Sequence, residues 1–209
     1  MNTPVYNMRP RRQSTIPNVV FALLIINGLV FALQQMNPRF LMINFALWPV
    51  GPQNSPFGPW QLLTYGFLHG NLYHIFFNML GLWMFGREIE LLMGTRRFLV
   101  YYLVCVVGAG VVQLVVAAVQ GGVYPTVGAS GGLFGILLAF ALAFPNRTIM
   151  LIFPPIPMKA KYFVLFFGLL SLYLGFSGSA PGIAHFAHLG GMLFGFLLLR
   201  YWTQPRRRG

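Results

Sequence analysis

The chain has 209 residues, of which 57% are hydrophobic and only 8% charged, with a mean hydropathy of +0.69. A soluble domain would carry about a quarter charged residues, so the composition excludes one and leaves room for a single all-α membrane domain of about six spans. The formal net charge of +12 suggests nucleic acid, but its distribution argues otherwise: the basic residues border apolar runs, where they act as topological signals and meet lipid headgroups.

Residues 1–16 form a basic tail with Arg9, Arg11 and Arg12. The first span runs over about 17–36, opens with Pro17 and lacks a small-residue cleavage site, so it reads as a retained span. Between 37 and 60, Pro38, Pro49, Pro52, Pro56 and Pro59 forbid a continuous helix, yet Phe40, Ile43, Leu47 and Trp48 are too apolar for free solution. This predicts a long first loop with a short interfacial element, where Trp48 and Trp60 settle. The second span, about 61–86, holds His69, His74 and Asn78. A short charged connector from Arg87 to Arg97 follows and contains the only acidic residues, Glu88 and Glu90. The third span, about 98–119, contains Cys105, and a single cysteine excludes an internal disulfide or a thiol metal cluster.

A loop at 120–127 leads to a short fourth span, about 128–145. A Pro-rich connector at 153–157, with Lys159 and Lys161, precedes a fifth span at about 162–176. Residues 177–182 read as a flexible loop, 183–202 as the sixth span and 203–209 as a basic tail, so the domain itself covers 17–202. With both termini cytoplasmic, every one of the 14 basic residues except Arg39 falls inside, a strong positive-inside bias.

Polar groups inside a bilayer need a partner or a task. Ser130, His188 and His74 stand 15, 12 and 13 residues above Pro145, Arg200 and Arg87 respectively. At about 1.5 Å per residue, all three lie roughly 18–22 Å above the inner edge. Three spans thereby bring a hydroxyl and two imidazoles to one level, with Asn78 one turn below His74 on the same face.

Ser130 lies in Gly128-Ala129-Ser130-Gly131-Gly132-Leu133-Phe134-Gly135, at the head of an apolar helix. Small residues there suit close helix packing, which is all the segment would signify by itself. Gly128, Gly131 and Gly135 also leave backbone amides open, and a helix N-terminus favours a developing oxyanion. A serine needs a base to become a nucleophile, and imidazole is the usual one. His188 has a rival in His185, one turn nearer the outer surface; Gly191 and Gly195 thin the face beside His188, allowing approach to the Gly128/Gly132/Gly135 face. The Ser130 amide, His74 and Asn78 are candidate oxyanion donors. Glu88 and Glu90 lie on the order of 20 Å from this level, so any hydrolase here runs on a Ser–His dyad.

These segments resemble the rhomboid intramembrane serine proteases. Gly128-Ala129-Ser130-Gly131 with Phe134 and Gly135 is similar to the family's GxSG segment, and Ala187-His188 with Gly191 and Gly195 to its AHxxGxxxG segment, a likeness that prefers His188 over His185. His74 and Asn78 resemble its HxxxN pair; Gly86, Glu90 and Gly94 resemble its structural GxxxExxxG stretch. Trp60-Gln61 resembles the Trp-Arg pair of the first loop, with Gln in place of Arg, and Phe134 stands where many members carry Tyr. The resemblance implies a six-transmembrane-helix bundle that cleaves single-span membrane proteins near their outer ends, without metal or cofactor. It also implies that Phe134 stacks under the histidine. The fifth span and the 177–182 loop would act as lateral gate and cap, with Phe163, Phe166 and Phe167 as gate residues. Glu90 reads as a structural cap or as an ion-pair partner of Arg96 or Arg97.

Two other classes compete with this reading. A rhomboid-like protein that only escorts membrane clients would usually lack Ser130 or His188. A small transporter would be expected to carry intramembrane carboxylates.

Overall fold

The computed structural model describes residues 17–51, 56–150, 155–178 and 184–204. The expected basic tail 1–16, most of 203–209 and parts of the 153–157 and 177–182 segments lie outside these residues. The described chain is almost wholly helical, as bilayer burial demands of amides without water.

Helix α1 (Asn18–Met36) starts directly after Pro17 and matches the first expected span. The opening turn of a helix has amides without intrahelical partners, and here a distant carboxylate meets them. The Val19 N–H donates to Glu90 Oε1 at 3.0 Å and the Val20 N–H to Oε2 at 2.8 Å. Glu90 is therefore a cap, but of another helix, and it does not pair with Arg96 or Arg97. The ion pair found among the described residues joins Arg147 to Glu88 at 3.1 Å. Glu90→Ala strands two amides and removes a charge from a positive helix end, a loss of about 3 kcal/mol. A fall of roughly 6–12 °C in the Tm of purified protein is expected, partly recovered in Glu90→Gln; an unchanged Tm would remove the cap from this account.

The first loop carries the expected short element, helix α2 (Pro38–Phe45), with Pro38 in its first turn and Asn37 Oδ1 accepting the Phe40 N–H at 3.2 Å. The tryptophans fasten it, the Trp48 indole donating to Met42 O at 3.0 Å and the Trp60 indole to Asn44 O at 2.8 Å. Gln61 is fully buried and cross-links the loop, accepting from the Trp48 N–H at 3.1 Å and donating to Pro56 O at 2.8 Å.

The second expected span is not one helix. Helix α3 (Gln61–Thr64) and a 3-10 turn (Tyr65–Phe67) end before a break at residues 68–71. Helix α4 (Leu72–Gly81) then begins under Asn71, whose Oδ1 accepts the His74 N–H at 2.9 Å. Asn is a strong N-cap and competes with helix continuation. Gln34 on α1 holds the broken stretch by two hydrogen bonds, its Nε2 donating to His69 O at 2.8 Å and its Oε1 accepting the His69 N–H at 3.1 Å. At the other end the expected connector is helical: a π turn (Leu82–Gly86) runs into α5 (Arg87–Met93), which stops at Gly94 with φ of +83°. Helix-forming Arg87 and Glu88 continue the rod, Arg87 exposed and Glu88 half-buried.

Helix α6 (Thr95–Gln120) is the long central rod, and α7 (Ser130–Ala143) and α9 (His185–Thr203) pack against it and against each other. Tyr101, Tyr102, Cys105, Val106 and Ile136 form the buried centre. Helix α8 (Ala160–Ser177) is held more lightly, with buried side chains only at Ala160, Val164 and Ser171. Between α7 and α8, where only a Pro-rich connector was expected, strands β1 (Thr148–Met150) and β2 (Pro157–Lys159) pair antiparallel. Helices α1, α6 and α8 are long and apolar enough to cross a membrane. Helix α7, at 14 residues, rises about 21 Å.

The expected Gly128/Gly132/Gly135 face divides between two partners. Gly132 faces Tyr102 and Val106 of α6, while Gly135 stands between Cys105 of α6 and the Gly191 carbonyl of α9. Successive helical residues turn by about 100°, so neighbouring glycines open different faces.

Candidate active site

Ser130 is the first residue of α7 and follows a loop tied to its surroundings by backbone bonds. Leu47 and Thr126 exchange hydrogen bonds of 2.9 and 2.8 Å, and the Gly128 N–H donates to Tyr65 O at 2.9 Å. The Gly128 amide, expected to be open, is thus engaged with Tyr65. Its contribution is conformational and steric. Its φ is +126°, and a Cβ there would lie 2.7 Å from Cε1 and Nε2 of His74.

His188, in the first turn of α9, places Nε2 2.9 Å from Ser130 Oγ. Phe134, one turn along α7 from Ser130, stacks on the His188 ring with centroids 4.1 Å apart and planes 7° from parallel. The ring of His185 stands edge-on to that of His188 at 6.0 Å. Ser171 of α8, absent from the sequence-derived set, lies with Oγ 3.4 Å from His188 Nδ1. A hydroxyl between Gly168 and Gly175 in an apolar run was the available signal for it.

His74 lies in the first turn of α4, with Nδ1 accepting the Gly70 N–H at 3.3 Å. That bond leaves the ring proton on Nε2, the nitrogen turned toward Gly128 and Ser130, and makes it a donor. Asn78 is nearly buried, and its Nδ2 has no hydrogen-bond partner among the described residues. Ser130, His188, His74 and Asn78 line one cavity of about 560 Å³, together with Gln113 and Tyr124. Glu90, by contrast, lies twelve residues beyond Asn78 along an almost continuous rod, roughly 18 Å away; it supports the bundle and not this cavity. No group of three or more His, Cys, Asp or Glu side chains able to hold a metal occurs among the described residues.

The arrangement offers a hydroxyl beside an imidazole, and donors from His74 and Asn78 lining the same cavity between helices. Gly191 and Gly195 allow it. A Cβ on Gly191 would overlap the Gly131 carbonyl, and one on Gly195 would reach the Tyr101 hydroxyl at 2.5 Å.

Residues 56–204 match the model of the Rhomboid domain. The chain is 33% identical over 190 residues to Rhomboid protein 1, mitochondrial, of Saccharomyces cerevisiae, covering 86% of this chain and 52% of that protein. It is 33% identical over 138 residues to rhomboid protease GluP of Bacillus subtilis, 66% of this chain and 25% of that one. With rhomboid protease GlpG of Photorhabdus laumondii, identity is 28% over 187 residues, 88% and 61% of the two chains. The chain therefore spans about half the length of the curated relatives it matches. The family match covers most of the chain and takes in both halves of the cavity, so this integral membrane protein, a rhomboid-type helical bundle, belongs to the rhomboid family.

Proposed function

We propose that the chain is an intramembrane serine endopeptidase that cleaves transmembrane segments with a Ser130–His188 dyad. The observation that carries this reading is the 2.9 Å contact between Ser130 Oγ and His188 Nε2. Stacking on Phe134 supports it by fixing the plane of the ring. Ser130 Oγ attacks the scissile carbonyl carbon while its proton passes to His188 Nε2. The tetrahedral oxygen is held by the Ser130 N–H, His74 Nε2 and Asn78 Nδ2, and the unpartnered Asn78 donor is the kind of group an oxyanion would satisfy. His188 then gives the proton to the leaving amine as the C–N bond breaks. Water, deprotonated by the same nitrogen, cleaves the acyl ester and regenerates Ser130.

By the same reading, substrates are single-span proteins cut near the outer face, and both termini of this chain lie in the cytoplasm of a cell whose inner membrane holds it. The basic residue distribution favours that orientation. Lipids are the surrounding partner, and no metal or cofactor takes part.

A fluorophosphonate probe on purified protein in proteoliposomes tests the assignment. Labelling is expected at Ser130, mapped by peptide mass, and lost in Ser130→Ala. An unlabelled parent chain would favour a rhomboid-like protein that only binds membrane clients; labelling of another serine would move the nucleophile.

A further inference from the structure

We propose that Ser171 is a positioning residue for His188, holding the imidazole proton on Nδ1 so that Nε2 faces Ser130 as the base. This rests on the serine-protease reading above.

Neutral imidazole presents one nitrogen as donor and the other as acceptor. To take the Ser130 proton, Nε2 must be bare, so Nδ1 carries hydrogen and needs an acceptor. Where a carboxylate would usually supply it, the chain has none to offer. It contains no Asp, and its two Glu are engaged elsewhere, Glu88 with Arg147 and Glu90 with the start of α1. The group that stands at Nδ1 is the Ser171 hydroxyl, at 3.4 Å.

Its setting makes that contact specific. Ser171 is 4% exposed and is the one polar side chain among the three buried on α8. A hydroxyl buried on an apolar helix costs free energy unless it is bonded. Gly168 and Gly175 flank it at helical spacing, and Cβ atoms there would touch Met192 and Phe186, which bracket His188 on α9. The small residues bring α8 against α9 at the height of the imidazole. Phe134 thus restrains the ring's plane, while the two serines restrain its rotation within that plane. A spacing of 3.4 Å is long for such a bond, as befits a resting site, and it shortens as positive charge develops on the ring.

The test uses the full chain in proteoliposomes with a tagged single-span substrate and the fluorophosphonate probe. Ser171→Ala is expected to lower kcat and the rate of Ser130 labelling about tenfold, with KM within about twofold of the parent and Tm unchanged. Ser171→Thr, which keeps the hydroxyl, is expected to restore most of both rates. Ser171→Ala labelling at the parental rate, or a loss confined to KM, would overturn the positioning role while leaving the dyad intact. A parent chain without labelling at Ser130 would remove the nucleophile itself, and this inference with it.

Discussion

Replacing His188 by alanine is expected to lower kcat for a single-span substrate by about three to four orders of magnitude. Without Nε2 beside it, Ser130 must lose its proton to water or to no group at all, and the attacking species becomes rare. The drop is smaller than in a hydrolase with a carboxylate, because a dyad without one begins from a lower rate. What remains comes from the oxyanion donors and from substrate positioning, which the substitution leaves in place. Ser130→Ala should fall to a similar floor, and the double variant should be no worse than either single one, since the two side chains act as a unit. The measurement is the initial rate of cleavage by purified protein in proteoliposomes. A His188→Ala protein that kept more than about a tenth of the parental kcat would mean that another group is the base.

Gly191→Ala should cost both stability and chemistry. An added Cβ would overlap the Gly131 carbonyl oxygen and lie 2.7 Å from its carbon and 3.2 Å from Cα. Every one of those atoms is backbone, so no rotamer change relieves the contact. Helices α7 and α9 must part, at a cost of about 3 kcal/mol. Gly131 follows Ser130 directly and Gly191 lies one turn beyond His188, so the parting lengthens the 2.9 Å hydroxyl–imidazole contact. A shift of that size at reacting groups lowers turnover by on the order of a hundredfold. Gly28→Ala on α1, whose added Cβ meets nothing within 4 Å, supplies the control. It should fold and cleave as the parent does, with the slightly higher helix propensity of alanine. Comparable loss in both variants would show that the expected contact between α7 and α9 is not what matters.

The site's vertical organisation was readable because helix rise is regular. Counting residues from basic anchors placed Ser130, His188 and His74 at one height, and the cavity contains all three. The Phe134 stack was implied only by the family resemblance, which sets an aromatic ring at that position. Rotation about each helix was less legible. Gly128, Gly132 and Gly135 were grouped by spacing, yet only contact with α6 or α9 decides which neighbour each one meets. Ser171 escaped for the same reason, since a serine between Gly168 and Gly175 marks a close helix approach but not which neighbour it faces. The break before α4 is a competition between local capping by Asn71 and a hydropathy signal that runs straight through it. The π turn and α5 extend the rod through a charged stretch that a hydropathy signal ends.

Where α7 crosses α9, main chain rests on main chain. A spacer of that kind has no rotamers to populate and little thermal give. Extraction into micelles, which relieves the lateral compression of the bilayer, should leave the separation of hydroxyl and imidazole almost unaltered. The thinly anchored α8 has no such stop and is free to drift outward. A solubilised preparation is therefore expected to become less choosy about which polypeptides it admits, and to label more slowly with small probes as Ser171 withdraws from His188.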